Sequence, residues 1–212
     1  MRRVMSMLVV LLLAVPALAE DLYPPPWRGQ PGTTFQHWMF SQPGSPPGTY
    51  WPELVNNPFG TPSIVDPWEP RPPYGWFSEW AGMQGVLVPY WELTTEIMNY
   101  PEPLPWKDIY VQVTWYDGIG PGGWDCIQPM PYYCGTYQFT EVSTTPLFGD
   151  WYHSVFTYRV EPNPPWEFIE FWPYPDPYGY IAVDQIVIYT WCVPEPASLL
   201  LMAVAGVLVR RR

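Results

Sequence analysis

Residues 108–116 read DIYVQVTWY, and this stretch decides the fold. Ile109, Val111, Val113 and Trp115 place an apolar side chain at every second position, with Gln112 and Thr114 between them. A period of two sends alternate side chains to opposite faces, so the segment is a strand with one buried and one polar face. Working outward, short β-branched or aromatic runs recur at Val86–Leu93, Tyr137–Ser143, Trp151–Val160, Glu167–Phe171 and Tyr180–Trp191, separated by turn residues. Residues 21–84 are dominated by Pro and Gly, as in PPPW (24–27), QPGSPPG (42–48) and DPWEPRPPYGW (66–76). One strand, about Thr33 to Phe40, is expected there, and ordered loops otherwise. No internal window carries the 3.6-residue apolar period of an amphipathic helix. The expected class is all-β: an antiparallel β-sandwich, jelly-roll-like, with long Pro-rich loops.

The two ends differ from this interior. Arg2 and Arg3, an apolar run from Val4 to Val15, and the small-x-small triplet ending the sequence Ala17-Leu18-Ala19 form the three parts of a secretory signal. The run is shorter than the roughly 20 residues of a membrane span. Residues 1–19 are therefore read as a cleaved signal helix. The last residues, VPEPASLLLMAVAGVLVRRR (193–212), combine Pro194-Glu195-Pro196, an apolar stretch from Ala197 to Val209, and Arg210, Arg211 and Arg212. The prolines oppose a helical start before Ala197. A hydrophobic helix in lipid with its arginines on the cytoplasmic side follows from the rest.

Between the signals lies one domain, residues 20–193, large enough to bury a core. Of the 20 Asp and Glu only Glu195 falls outside it, leaving 19 against Arg28, Arg71, Lys107 and Arg159, a net charge of −15. Such a surface repels phosphate backbones and argues against nucleic acid as a partner. It suits neutral or cationic glycans and cations. The 31 Pro of the chain approach a disordered composition, yet all 14 Trp and all 16 Tyr lie in the domain. Rings of ~150–250 Å² each can build a core in place of leucine.

The tail resembles the PEP-CTERM sorting signal of Gram-negative bacteria that make exopolysaccharide. That resemblance implies recognition of Pro194, Glu195 and Pro196 by an exosortase, a membrane-embedded cysteine protease, after export by the secretion machinery. It further implies transient anchoring in the inner membrane, followed by delivery to the cell surface or extracellular matrix. YIAVDQIVIYTWCVPEPAS (180–198) is similar to the closing strand of jelly-roll lectin-like modules that end in this motif. On that likeness Asp184 stands where such modules place an Asp near a structural Ca²⁺, although Gln185 replaces the usual Asn.

Candidates for chemistry are few. Cys126 and Cys134 flank the loop 127–133 and are a candidate disulfide in an oxidising compartment. The two histidines, His37 and His153, lack a Cys-x-x-Cys partner for zinc. Ser154 adjoins His153, but strand neighbours point to opposite faces, so they form no nucleophile–base pair. Glu167 and Glu170 stand beside Trp166 and Trp172, but three residues apart they too face opposite ways, and solvated strand faces account for them. Trp68, Trp76, Trp80, Trp106 and Trp124 lie in or beside Pro- and Gly-rich loops, where exposed rings would stack on sugars. The expected function is a non-enzymatic exported surface or matrix protein that binds polysaccharide, with no catalytic residues. A purely structural matrix protein and a secreted glycan-active enzyme are the alternatives.

The mature protein is expected to begin at Glu20. Intact mass and N-terminal sequencing of the exported form check this, and retention of Val4–Val15 would contradict it.

Overall fold

A computed structural model of the chain describes residues 21–45, 48–67, 72, 74–98, 104–118, 127–132, 136–164, 166–173 and 181–193. The expected signal helix and C-terminal helix, with Ala17, Ala19, Pro194–Pro196 and Arg210–Arg212, lie outside the described residues, as do Trp68, Trp124, Cys126 and Cys134.

The described residues hold strands and no helix. In chain order they are β1 (Thr33–Trp38), β2 (Thr49–Tyr50), β3 (Leu54–Asn56), β4 (Ile64–Val65), β5 (Gly75–Trp80), β6 (Met83–Val88) and β7 (Leu93–Met98). There follow β8 (Trp106–Asp117), β9 (Ile127–Tyr132), β10 (Thr136–Pro146), β11 (Trp151–Glu161), β12 (Trp166–Pro173) and β13 (Ile181–Val193). The larger sheet runs β10-β11-β8-β13-β1-β3, with β6 joined to β13 and β5 to β6; the smaller runs β2-β4-β7-β12-β9. The pairings are antiparallel, so the expected all-β class with two antiparallel sheets is what the chain adopts.

Alternation explains the core. Ile109, Val111, Val113 and Trp115 of β8 point inward with Ile186 and Ile188 of β13 and with Phe156, Tyr158 and Val160 of β11. They meet Ile64 of β4, Leu93 and Ile97 of β7, and Ile169 and Phe171 of β12, so both sheets share one core. Each such side chain contributes roughly 1.5–3 kcal/mol by leaving water.

The second face of β13 is covered as well, and residues 181–190 are all buried. Chain from Asp21 to Gln30 lies across it. The Trp27 ring stacks on Trp191 at 5.6 Å and meets Tyr110 and Tyr189 edge-on. Asp21 receives hydrogen bonds from Gln112 Nε2 (2.6 Å), Arg28 Nη1 (2.8 Å) and the Tyr189 hydroxyl. At the other end, the β5–β6 hairpin brings Phe77 and Trp80 onto Trp151, Val86, Val88 and Ala182.

Three differences from the sequence reading have physical causes. The Pro-rich region holds β2 to β5 besides β1: β2, β3 and β4, of two or three residues, are too short to show a period, and the six-residue β5 starts at a Gly-Trp pair that reads as a turn. Val86–Leu93 is not one strand: β6 stops at Val88 before Pro89, which cannot donate a ladder hydrogen bond, and β7 starts at Leu93. Pro129 and Pro131 concealed β9, which tolerates them as an edge strand.

Glu167 is a fourth correction. It shares the inward face of β12 with Ile169 and Phe171 and pairs with Lys107 of β8, both side chains having no solvent exposure. Burial pushes its carboxyl up, against the opposing pull of the Lys107 ammonium. The pair spans the two sheets, so losing one partner strands a buried charge. Lys107→Ala is expected to cost about 3–5 kcal/mol in urea unfolding. The double variant Lys107→Met/Glu167→Leu is expected to restore most of it; equal losses in both would contradict a desolvation origin.

Candidate functional site

β12 is the element from which a site can be built. Its inward residues, Glu167, Ile169 and Phe171, belong to the core; its outward ones are Trp166, Phe168, Glu170 and Trp172. Residues two apart rise about 6.5–7 Å along a strand, so Trp166 and Trp172 are about 20 Å apart along one line. Trp166 is 39 % exposed, while Phe168, Glu170 and Trp172 are half-buried. Register adds the neighbours on β7: Met98 stands opposite Trp166, Glu96 opposite Phe168 and Thr94 opposite Glu170. On the other side Met130 of β9 faces Glu170.

The charge on this face is of one sign. Glu92, Glu96 and Glu170 lie on or beside it, whereas the described basic residues are elsewhere: Arg28 on the N-terminal segment, Lys107 in the core, Arg159 on β11. Trp172 Nε1 donates to Glu170 Oε2 at 3.1 Å, which fixes the indole against the sheet. Burial, and then the nearby Glu170 carboxylate, holds the Glu92 carboxyl above its ordinary value. The result is an aromatic line edged by carboxylates, able to stack on an apolar ring face and accept hydrogen bonds from hydroxyls.

The sequence candidates lie elsewhere. Trp76 and Trp80 are half-buried on β5, where Trp76 Nε1 donates to Phe40 O at 2.6 Å and Trp80 packs on Phe77 at 4.8 Å. Trp106, half-buried on β8, carries the Arg159 guanidinium over its ring at 5.2 Å. The sequence signal for Trp166 and Trp172 is the alternation W-E-F-I-E-F-W, which places both rings on one face of the strand.

Both histidines lie in a polar layer on the outer face of the larger sheet. His37 Nε2 meets Gln185 Oε1 at 2.8 Å, Gln185 Nε2 donates to Thr114 Oγ1 at 3.0 Å, and Thr114 Oγ1 meets His153 Nδ1 at 2.9 Å. His153 Nε2 then reaches Gln112 Oε1 at 3.2 Å. Ser154 points the other way, its hydroxyl accepting from Trp115 Nε1 at 2.9 Å. Asp184 sits at an irregularity in β13 between Val183 and Gln185, and burial raises its carboxyl to about 7. Among the described residues no three His, Cys, Asp or Glu gather as a metal site.

Fold and surface together describe an acidic all-β domain with an aromatic line on one sheet. Residues 193–212 match the PEP-CTERM protein-sorting motif, and the match starts at Val193, the last residue of β13. The motif implies export across the inner membrane and processing by an exosortase. Comparison with curated proteins and with solved structures finds no match.

Burial lowers His153 from 6.5 to about 4 and lowers His37 as well. A depressed histidine leaves the unfolded chain holding more protons between these values, so stability falls as pH drops from 6.5 toward 4. His153→Gln is expected to remove roughly 3 kcal/mol of that fall, read as the difference between two urea titrations across the window. Parallel curves for the two proteins would contradict it.

Proposed function

We propose that the exported domain is a non-enzymatic, jelly-roll-like β-sandwich that binds neutral polysaccharide at the cell surface or in the extracellular matrix. The observation carrying this reading is the outward line Trp166, Phe168 and Trp172 on β12, edged by Glu96 and Glu170. Sugar rings have apolar faces that stack on aromatic rings, and equatorial hydroxyls that donate to carboxylates. A domain of net charge −15 repels anionic chains, which restricts the substrate class to neutral or cationic glycans. The motif at 193–212 supports the setting, since it implies export across the inner membrane and processing by an exosortase.

The alternative of a purely structural matrix protein draws on Trp38, Trp115 and Trp151, whose rings are buried. Affinity electrophoresis through gels holding cellulose, chitin, curdlan or alginate separates the two. Retardation by at least one neutral polymer and none by alginate is expected. Trp166→Ala/Trp172→Ala is expected to weaken binding about tenfold or more, ~1.4 kcal/mol or above. Unretarded passage through every gel supports the structural reading instead.

A further inference from the structure

A cleft of about 370 Å³ opens beside the smaller sheet, within the range of ligand pockets (~300–1,000 Å³). Its walls are residues 40–45 and 49–53. These walls are pinned from below. Trp38 Nε1 donates to Tyr50 O at 3.1 Å, Trp76 Nε1 holds Phe40 O, and the Phe40 and Tyr50 rings meet edge-on at 5.4 Å. Glu53 clamps the far wall: Oε2 accepts from Met39 N at 2.8 Å, and Oε1 from Ser41 N and Oγ at 3.0 Å. The cleft is therefore preformed, and Trp51 beside it leaves 57 % of its surface in water.

Register ties this cleft to the aromatic line. Thr49, in the cleft wall, stands opposite Val65, Val65 opposite Thr94, and Thr94 opposite Glu170. Thr49 and Glu170 thus share one row of one sheet face, three strand spacings or about 14 Å apart. A few sugar units of an extended chain cover that span.

We propose that this cleft is a second glycan subsite, which seats a terminal or branch sugar of the neutral chain lying along β12. The inference rests on the polysaccharide reading above. Trp51 is the stacking ring, and Gln42, Ser45 and Thr49 offer polar groups to hydroxyls. Glu53, with both oxygens engaged by the neighbouring loop, positions the wall and takes no part in contact chemistry. A sugar suits the cleft better than a Pro-rich peptide, because peptide grooves need successive aromatic ridges and this one has a single exposed ring beside polar side chains. Two linked subsites on one chain raise affinity through effective concentration without any new contact.

The test uses the mature protein, its Trp51→Ala variant and Trp166→Ala/Trp172→Ala, with cellotetraose, chitotetraose and laminaritetraose by titration calorimetry and the matching polymers by affinity gel. Trp51→Ala is expected to weaken tetrasaccharide binding tenfold or more with an unchanged melting temperature. The β12 double variant is expected to lose polymer retention while keeping tetrasaccharide affinity within about threefold. Wild-type tetrasaccharide affinity in Trp51→Ala, with polymer retention intact, overturns the subsite and leaves the broader function standing. Trp51-dependent binding of a polyproline peptide with no tetrasaccharide binding overturns the sugar assignment. Absence of any glycan binding by the wild type overturns both.

Discussion

The pairing of β8 with β13 is the constraint on which the domain depends. Their ladder runs from Ile181 opposite Asp117 to Val193 opposite Trp106, and each strand carries an apolar face inward. Because side chains alternate strictly, this register fixes two layers at once. Inward, Val111, Val113, Ile186 and Ile188 meet the smaller sheet; outward, Gln112, Thr114 and Gln185 join the two histidines in one hydrogen-bonded layer. A slip of one residue would put the polar layer into the core. The sorting motif begins on the last residue of this same strand, so the address is attached to the most deeply buried element of the domain.

Aromatic rings do for this chain what leucine does for others. Trp38, Phe40, Trp115, Phe156, Tyr158 and Phe171 fill the space between the sheets, and several polar tips are answered within the protein, as Trp38 Nε1 is by Tyr50 O. Rings on the outer faces are ordered by the same strands that hold the core. Trp166 and Trp172 alternate with Glu167, Ile169 and Phe171, so the rigidity of the buried face is passed to the exposed one. Lys107 and Glu167 bind the two layers at the base of that line. Side chains mounted on a strand flanked by two others, as β12 is by β7 and β9, are better preorganised than those carried by loops.

The long strands were legible in the sequence, since β8 alternates from Ile109 to Trp115, β11 alternates from Phe156 to Val160, and β13 carries a β-branched and aromatic run from Ile186 to Trp191. Hidden elements were those where another signal prevailed. Pro129 and Pro131 read as loop residues although an edge strand accepts them, and the Gly-Trp start of β5 read as a turn. The site was legible only in part. Trp residues next to Pro and Gly were expected to be exposed, but Trp76 and Trp80 lie on a strand and pack against neighbours. Parity along WEFIEFW was the usable signal for Trp166 and Trp172. Nothing in the sequence marks Trp51, whose exposure follows from a cleft built by contacts 12 and 36 residues apart in the chain.

On the reading proposed above, export and a sugar-facing surface belong to one physical design: an acidic domain that repels anionic polymers and would offer its exposed rings to neutral ones. Contact between these rings and glycan is read directly from indole N–H resonances, one ring at a time. In ¹H–¹⁵N spectra of the mature domain titrated with soluble neutral oligosaccharides long enough to span the cleft and β12, shifts are expected at Trp51, Trp166 and Trp172, with Trp38, Trp115 and Trp151 unmoved. Saturable shifts confined to the buried rings, or none at any ring across the neutral panel, would contradict that reading.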